Sequence, residues 1–191
     1  MPEARIGLFG KLPARGDFVR AGLPGSFIEP WDAWLQRAMA AARGHMGERW
    51  LPAWLEAPVW RFCLPAGACG AGGVLGLMLP SVDRVGRYFP LTLAAVFAAG
   101  HPPPDAEQGD PWLDACEAAG RAALEQDATP EQVAALLPPL EDGAAGPLDD
   151  ALWWTAGGPH VAATRLALVG LPEPSGFAAM IDDTELPEPP A

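Results

Sequence analysis

VWRFCL, VLGLML and YFPLTLAAVF follow one another at 59–64, 74–79 and 88–97, joined by links too short for anything but turns. Parallel pairing needs a crossover of a dozen or more residues, so these three segments pair as an antiparallel meander. The first link is glycine-rich, from Gly67 to Gly73, and suits a flexible hairpin turn. Pro90 has no N–H to donate, which predicts a bulge or a sheet edge at the start of the third strand.

The flanking segments set the fold class. RIGLFGKL at 5–12 is apolar and ended by Pro13, so it reads as a first strand; PARGDFVRAGLPGS then supplies a sharply bent loop. Ser26 with Glu29 three residues on has the form of a capping box, and Trp31, Leu35, Met39 and Ala42 recur at helical spacing up to about Arg43. Trp50, Trp54 and Leu55 suggest a short helix around Pro52. A surface loop is expected at 100–110 and a helix at 111–126 capped by Asp110; Thr129-Pro130 opens another, stopped by Pro138-Pro139. Strands at 151–156 and 161–169 and a helix at 177–181 complete the chain. The predicted order is β-α-β-β-β-α-α-β-β-α, an α+β fold with a mainly antiparallel central sheet flanked by helices. The expected organisation is a single domain over 1–185, with a core at 6–100, an acidic helical part at 101–150 and final strands and helix at 151–185, then a disordered tail at 186–191.

Composition narrows the function. Half of the 191 residues are hydrophobic, which excludes wholesale disorder. Apolar runs stay well short of the roughly 18 residues that span a bilayer, and MPEARIGLFGKLPARGD lacks the pattern of a secretory leader, so a cytoplasmic protein with no membrane insertion is expected. Net charge is −12; of the 12 basic residues all but Arg121 and Arg165 precede residue 101, leaving a strongly acidic C-terminal half that repels nucleic acid. Cys63, Cys69 and Cys116 match no zinc spacing and read as buried thiols. Gly10-Lys11 invites a phosphate-loop reading, but neither the earlier glycine nor the following hydroxyl is in place. No Gly-x-Ser-x-Gly elbow exists, the histidines His45, His101 and His160 stand apart, and no His-Glu-x-x-His occurs. The residues therefore nominate no catalytic group, cofactor or metal.

What remains is aromatic and charged. Most tryptophans fall at core spacing, but Trp153 and Trp154 are adjacent in a strand and must point to opposite faces, which makes one of them a candidate partner contact. Arg15, Asp17 and Arg20 lie in one loop, and Asp83, Arg84 and Arg87 in SVDRVGRYFPLTL at 81–93. A carboxylate beside apolar strands needs a partner, so an Asp-Arg network joining loop 13–25 to loop 80–88 is expected. Within it, Asp83 and Arg84 brace and Arg87 faces outward. A partner-binding surface on these residues, and a hydrolase or small-ligand site near Asp17 and Asp83, are the alternatives.

GLFGKLPARGDFVRAGLP, PWDAWLQ, APVWRF, GVLGLMLPSVDRVGRYFPLTL and LWWTAGG together resemble the TagF (ImpM) proteins associated with bacterial type VI secretion. The resemblance is strongest over 6–100 and thinner over 150–181. It implies a non-enzymatic accessory protein of the cytoplasm, a post-translational repressor of secretion that associates with the system's forkhead-associated scaffold protein. Some relatives carry a fused phosphatase domain, for which this chain has no room. The resemblance transfers no catalytic residue and leaves the oligomeric state open.

Overall fold

In the computed structural model, which describes residues 4–140 and 148–184, the meander forms the middle of a seven-stranded sheet. The strands are β1 (Arg5–Gly10), β2 (Val19–Ala21), β3 (Trp60–Leu64), β4 (Val74–Leu79), β5 (Leu91–Val96), β6 (Ala151–Thr155) and β7 (Thr164–Leu168). They pair in the order β2-β1-β5-β4-β3-β6-β7, each with its neighbour antiparallel. The helices are α1 (Gly25–Met46), α2 (Trp50–Leu55), α3 (Ala106–Glu125), α4 (Pro130–Leu136) and α5 (Phe177–Ile181). The fold is α+β with an open antiparallel sheet, as expected.

Helices cover both faces of this sheet, and strand alternation divides its side chains between two cores. Trp60, Phe62, Leu64, Met78 and Trp153 pack with α1, α2 and α5, while Cys63, Leu75, Leu77, Leu79, Leu91 and Leu93 pack with α3 and α4. Every residue of β4 is consequently buried, which accounts for its unbroken apolar run. Trp31 stands at the centre of the first core, its ring 4.7 Å from Phe62 and 6.0 Å from Trp153. Its indole N–H donates to Thr92 Oγ1 at 2.9 Å, so the polar atom of each is satisfied in a fully buried place. Trp34, Trp60 and Trp112 donate to the carbonyls of Pro172, Met180 and Pro138, tying late segments of the chain to the sheet and its helices. Cys63, Cys69 and Cys116 are buried free thiols, and burial pushes each up to about 12.

Four local expectations need correction. The loop after β1 contains a strand, β2, whose three residues were masked by glycine and proline on either side. The Ser26–Glu29 capping box does not form: Pro24 is the N-cap, its carbonyl accepting from Phe27 and Ile28 N–H at 3.1 Å, so Ser26 is already helical. α1 also passes through Gly44 and ends before Gly47, whose φ of 56° breaks the helical conformation. α3 begins at Ala106 rather than at Pro111, because Asp105 caps it by accepting from Gln108 N–H at 2.8 Å; Pro111 then lies inside the helix at the cost of one hydrogen bond. The expected cap of α4 does form, with Thr129 and Gln132 bonded reciprocally. β5 starts at Leu91, after Pro90, and α5 covers the residues predicted. The tail at 186–191 lies outside the described residues. Among those described, no helix is long and apolar enough to cross a membrane.

Gly7 and Gly44 test the packing from opposite sides. A Cβ at Gly7 would collide with the carbonyl of Ala21, because the chain leaving β2 through Gly22 and Leu23 passes close over it, whereas a Cβ at Gly44 would meet nothing within 4 Å. Gly7→Ala is therefore expected to lose about 1–3 kcal/mol in urea unfolding, and Gly44→Ala to gain roughly 0.5–1 kcal/mol from the exposed helical position.

Candidate functional site

β1 delivers Lys11 from its last residue, Gly10, directly beneath the loop between β4 and β5. That loop is a tight reversal: Phe89 N–H donates to Ser81 O at 3.1 Å, Asp83 N–H to Arg87 O at 3.0 Å, and Gly86 turns with a φ of 84°. Ser81 Oγ donates to Lys11 O at 2.7 Å, fixing the loop base to the end of β1. At the centre is the carboxylate of Asp83, a residue only 3% exposed. Its Oδ1 accepts from the N–H groups of Val85 and Arg87 at 3.0 and 2.9 Å. Its Oδ2 accepts from Lys11 Nζ at 2.6 Å and from Arg87 Nε at 2.7 Å.

These contacts set the charge state. Burial raises the Asp83 pKa, but the Lys11 ammonium and the bonds from Arg87 outweigh it and hold the carboxyl well below the usual carboxylate range. A carboxylate offers about four acceptor sites, and all four are occupied from within the chain. None is left for a substrate proton or a metal. Among the described residues, no group of three or more His, Cys, Asp or Glu is placed to hold a metal ion.

The same cluster stitches the second loop to the first. Arg87 Nη2 donates to Gly16 O, and Arg84 N–H donates to Arg15 O at 2.8 Å. Phe18 closes the cluster from the side: its ring lies 4.5 Å from Lys11 Nζ, stacks 5.8 Å from Phe9 and meets Phe89 edge-on at 4.9 Å. The chain around Gly10 can approach because no side chain intervenes; a Cβ there would strike the carbonyl of Pro90, and the φ of 138° suits glycine alone.

The candidate residues thus take distinct places. Asp83 and Arg87 brace the two loops through their side chains, while Arg84 does so through its backbone and leaves its guanidinium in solvent with no hydrogen bond or ion pair to a described residue. The expectation that the Arg84 side chain braces while Arg87 faces outward is therefore reversed in its bracing part, because the Arg87 Nε, not any atom of Arg84, reaches Asp83. Arg15 is exposed and stands 3.9 Å from exposed Glu131, a pair of little energetic weight. Asp17 accepts from the N–H of Phe18 and joins no ion pair with a described residue. Arg20 is exposed on β2. Trp153 and Trp154 do not belong here, since three strands separate β6 from β1. Trp153 is fully buried against α1; Trp154 is partly buried on the α3 face beside Arg61, which pairs with Asp110, Asp114 and Glu117. The residue that sequence reasoning missed is Lys11. Its signal was a lysine placed at the end of an apolar strand, where a charge has to find a partner.

The family model of the TagF N-terminal domain, type VI secretion system-associated, matches residues 7–140, a span that holds the end of β1, Lys11 and both stitched loops. Among solved structures, the crystal structure of PA0076 from Pseudomonas aeruginosa PAO1 is similar with a TM-score of 0.82 and 32% identity, over 97% of this chain and 98% of that one. The curated proteins yield no match.

Removing one member of the buried cluster leaves the others uncompensated. Lys11→Met and Asp83→Asn are each expected to destabilise by about 3–5 kcal/mol at neutral pH. The Asp83 pKa is depressed on folding, so its contribution is present above the unfolded value near 4 and is lost as pH falls towards the folded one. Urea titrations should accordingly show the gap between the native chain and Asp83→Asn closing below about pH 4; a gap that stays constant down to the acid limit would mean that Asp83 is not the ionised hub.

Proposed function

This chain belongs to the TagF family of type VI secretion-associated proteins, and from that premise we propose that it is a non-enzymatic accessory protein that represses secretion after translation by binding the system's cytoplasmic forkhead-associated scaffold protein. The observation that carries this reading is the use to which the family-motif loops are put. Their most buried polar group, Asp83, is saturated by Lys11, Arg87 and the Val85 N–H, so it serves as an anchor instead of a reacting group. The anchor holds two loops rigidly at the surface, and a rigid surface suits recognition of a protein because little ordering entropy is lost on binding. Repression then follows from occupancy: a scaffold face covered by this protein is closed to the component that would otherwise assemble there.

The reading makes a direct demand. Purified chain and the scaffold of the same organism should form a complex by calorimetry at micromolar concentrations, and deletion of the gene should raise secreted substrate while the amounts of scaffold protein stay unchanged. No association at those concentrations sinks direct binding. A rise in secretion that tracks a rise in scaffold abundance sinks post-translational action.

A further inference from the structure

We infer that the tip built by loops 13–18 and 81–88 is a receptor for a short acidic protein segment, an inference that rests on the proposed function for its partner but not for its chemistry. The chain carries a net charge of −12, yet this end exposes Arg15, Arg84, Arg87 and Arg43. Arg43 belongs to the group because its Nη2 donates to Tyr88 O at 3.0 Å, at the foot of the same loop, with its guanidinium 4.3 Å over the Trp50 ring. Inside the tip Lys11 and Asp83 cancel each other, and both are buried. The surface charge is therefore that of the guanidinium groups, offset in part by exposed Asp17 and Glu131.

Geometry and apolar surface point the same way. Arg87 is held by Nε and Nη2 while its side chain stays 57% exposed, so Nη1 remains available with its direction fixed. The same two loops present Val85, 67% exposed, and Phe18, 41% exposed. Planar guanidinium forks pair with carboxylates in two-point contacts, and aromatic and aliphatic anchors supply the desolvation that strengthens such pairs. A long polyanion such as nucleic acid does not fit, because Asp17 and Glu131 border the tip and the chain as a whole repels it. A protein segment bearing a few Asp or Glu beside an apolar residue matches the tip in charge and in surface.

Arg84 allows a clean test, since its side chain makes no hydrogen bond or ion pair with a described residue; Arg165→Glu on β7, at the opposite edge of the sheet, makes the charge change of Arg84→Glu alone, half that of the double variant. Binding of a labelled oligo-glutamate peptide is measured by fluorescence anisotropy for the native chain, Arg15→Glu/Arg84→Glu and Arg165→Glu, with folding checked by circular dichroism and urea. The expected result is binding that weakens with salt, falls about tenfold or more in the double variant and changes less than about twofold in Arg165→Glu. Absence of peptide binding, equal loss in both variants, or tighter binding of a single-stranded oligonucleotide overturns the inference. The scaffold protein forms a second arm. If it binds the native chain and the folded double variant equally, the tip is not its receptor although the proposed function stands; if it binds neither while the peptide still binds as expected, the function falls and the tip stands.

Discussion

A carboxylate removed from water is tolerable only if its charge is answered on every side, and the Asp83 carboxylate is the point on which this molecule's sequence motifs converge. With both partners of the Lys11–Asp83 pair almost inaccessible, the desolvation of two ions must be offset by their attraction and by further hydrogen bonds. Arg87 supplies two of those bonds, one from its backbone and one from Nε, and Val85 supplies another. Val85 and Arg87 lie in the same reversal as Asp83, while Lys11 comes from the end of β1. The carboxylate can be satisfied only when the end of β1 and the reversal between β4 and β5 have both reached their native places, and Arg87 then ties the loop before β2 to them through the carbonyl of Gly16.

That requirement couples the site to the rest of the fold. β1 and β5 are adjacent strands, with Gly10 opposite Leu91, so the register of this pair decides whether Lys11 arrives beneath Asp83. A slip of β1 by one residue would turn Leu8 from the α3 side to the α1 side and carry Lys11 away from its partner. Burial of both sheet faces forbids such a slip, since each face has its own complement of large side chains: Trp31 and Trp153 on one, Leu75, Leu77 and Leu93 on the other. The aromatic core and the polar anchor thus specify the same register from two directions, one by volume and the other by charge.

The periodic parts of this arrangement were legible in the sequence. Trp31, Leu35, Met39 and Ala42 announced α1, the meander followed from its short links, and the adjacency of Trp153 and Trp154 correctly required opposite faces. Helix starts were less legible, because two residues with capping chemistry competed. Asp110 and Asp105 could each cap α3, and Ser26 had a ready Glu29; burial of Phe27 and Ile28 against the sheet, a tertiary demand, sets where α1 begins. The network at Asp83 was half legible. That a buried carboxylate needs a cation follows from electrostatics, but which cation depends on the pairing of β1 with β5 across some seventy positions. The arginines nearest in sequence were natural candidates, and Lys11 drew attention only as an incomplete phosphate loop.

The division of labour among the charged residues gives the surface its character. If Arg84 rather than Arg87 reached Asp83, the loop apex would be drawn inward and the exposed charge would sit on its descending limb. Instead Arg87, on that limb, turns back to Asp83 and to Gly16, which leaves Arg84 and Val85 at the apex with their side chains in solvent. A charge at an apex is useful for recognition only if the apex does not move, and here the backbone on either side of it is bonded: Arg84 N–H to Arg15 and Val85 N–H to Asp83. The buried ion pair therefore holds the apex in place without itself reaching the surface, so the stability of the anchor and the placement of the exposed Arg84 and Val85 rest on the same carboxylate.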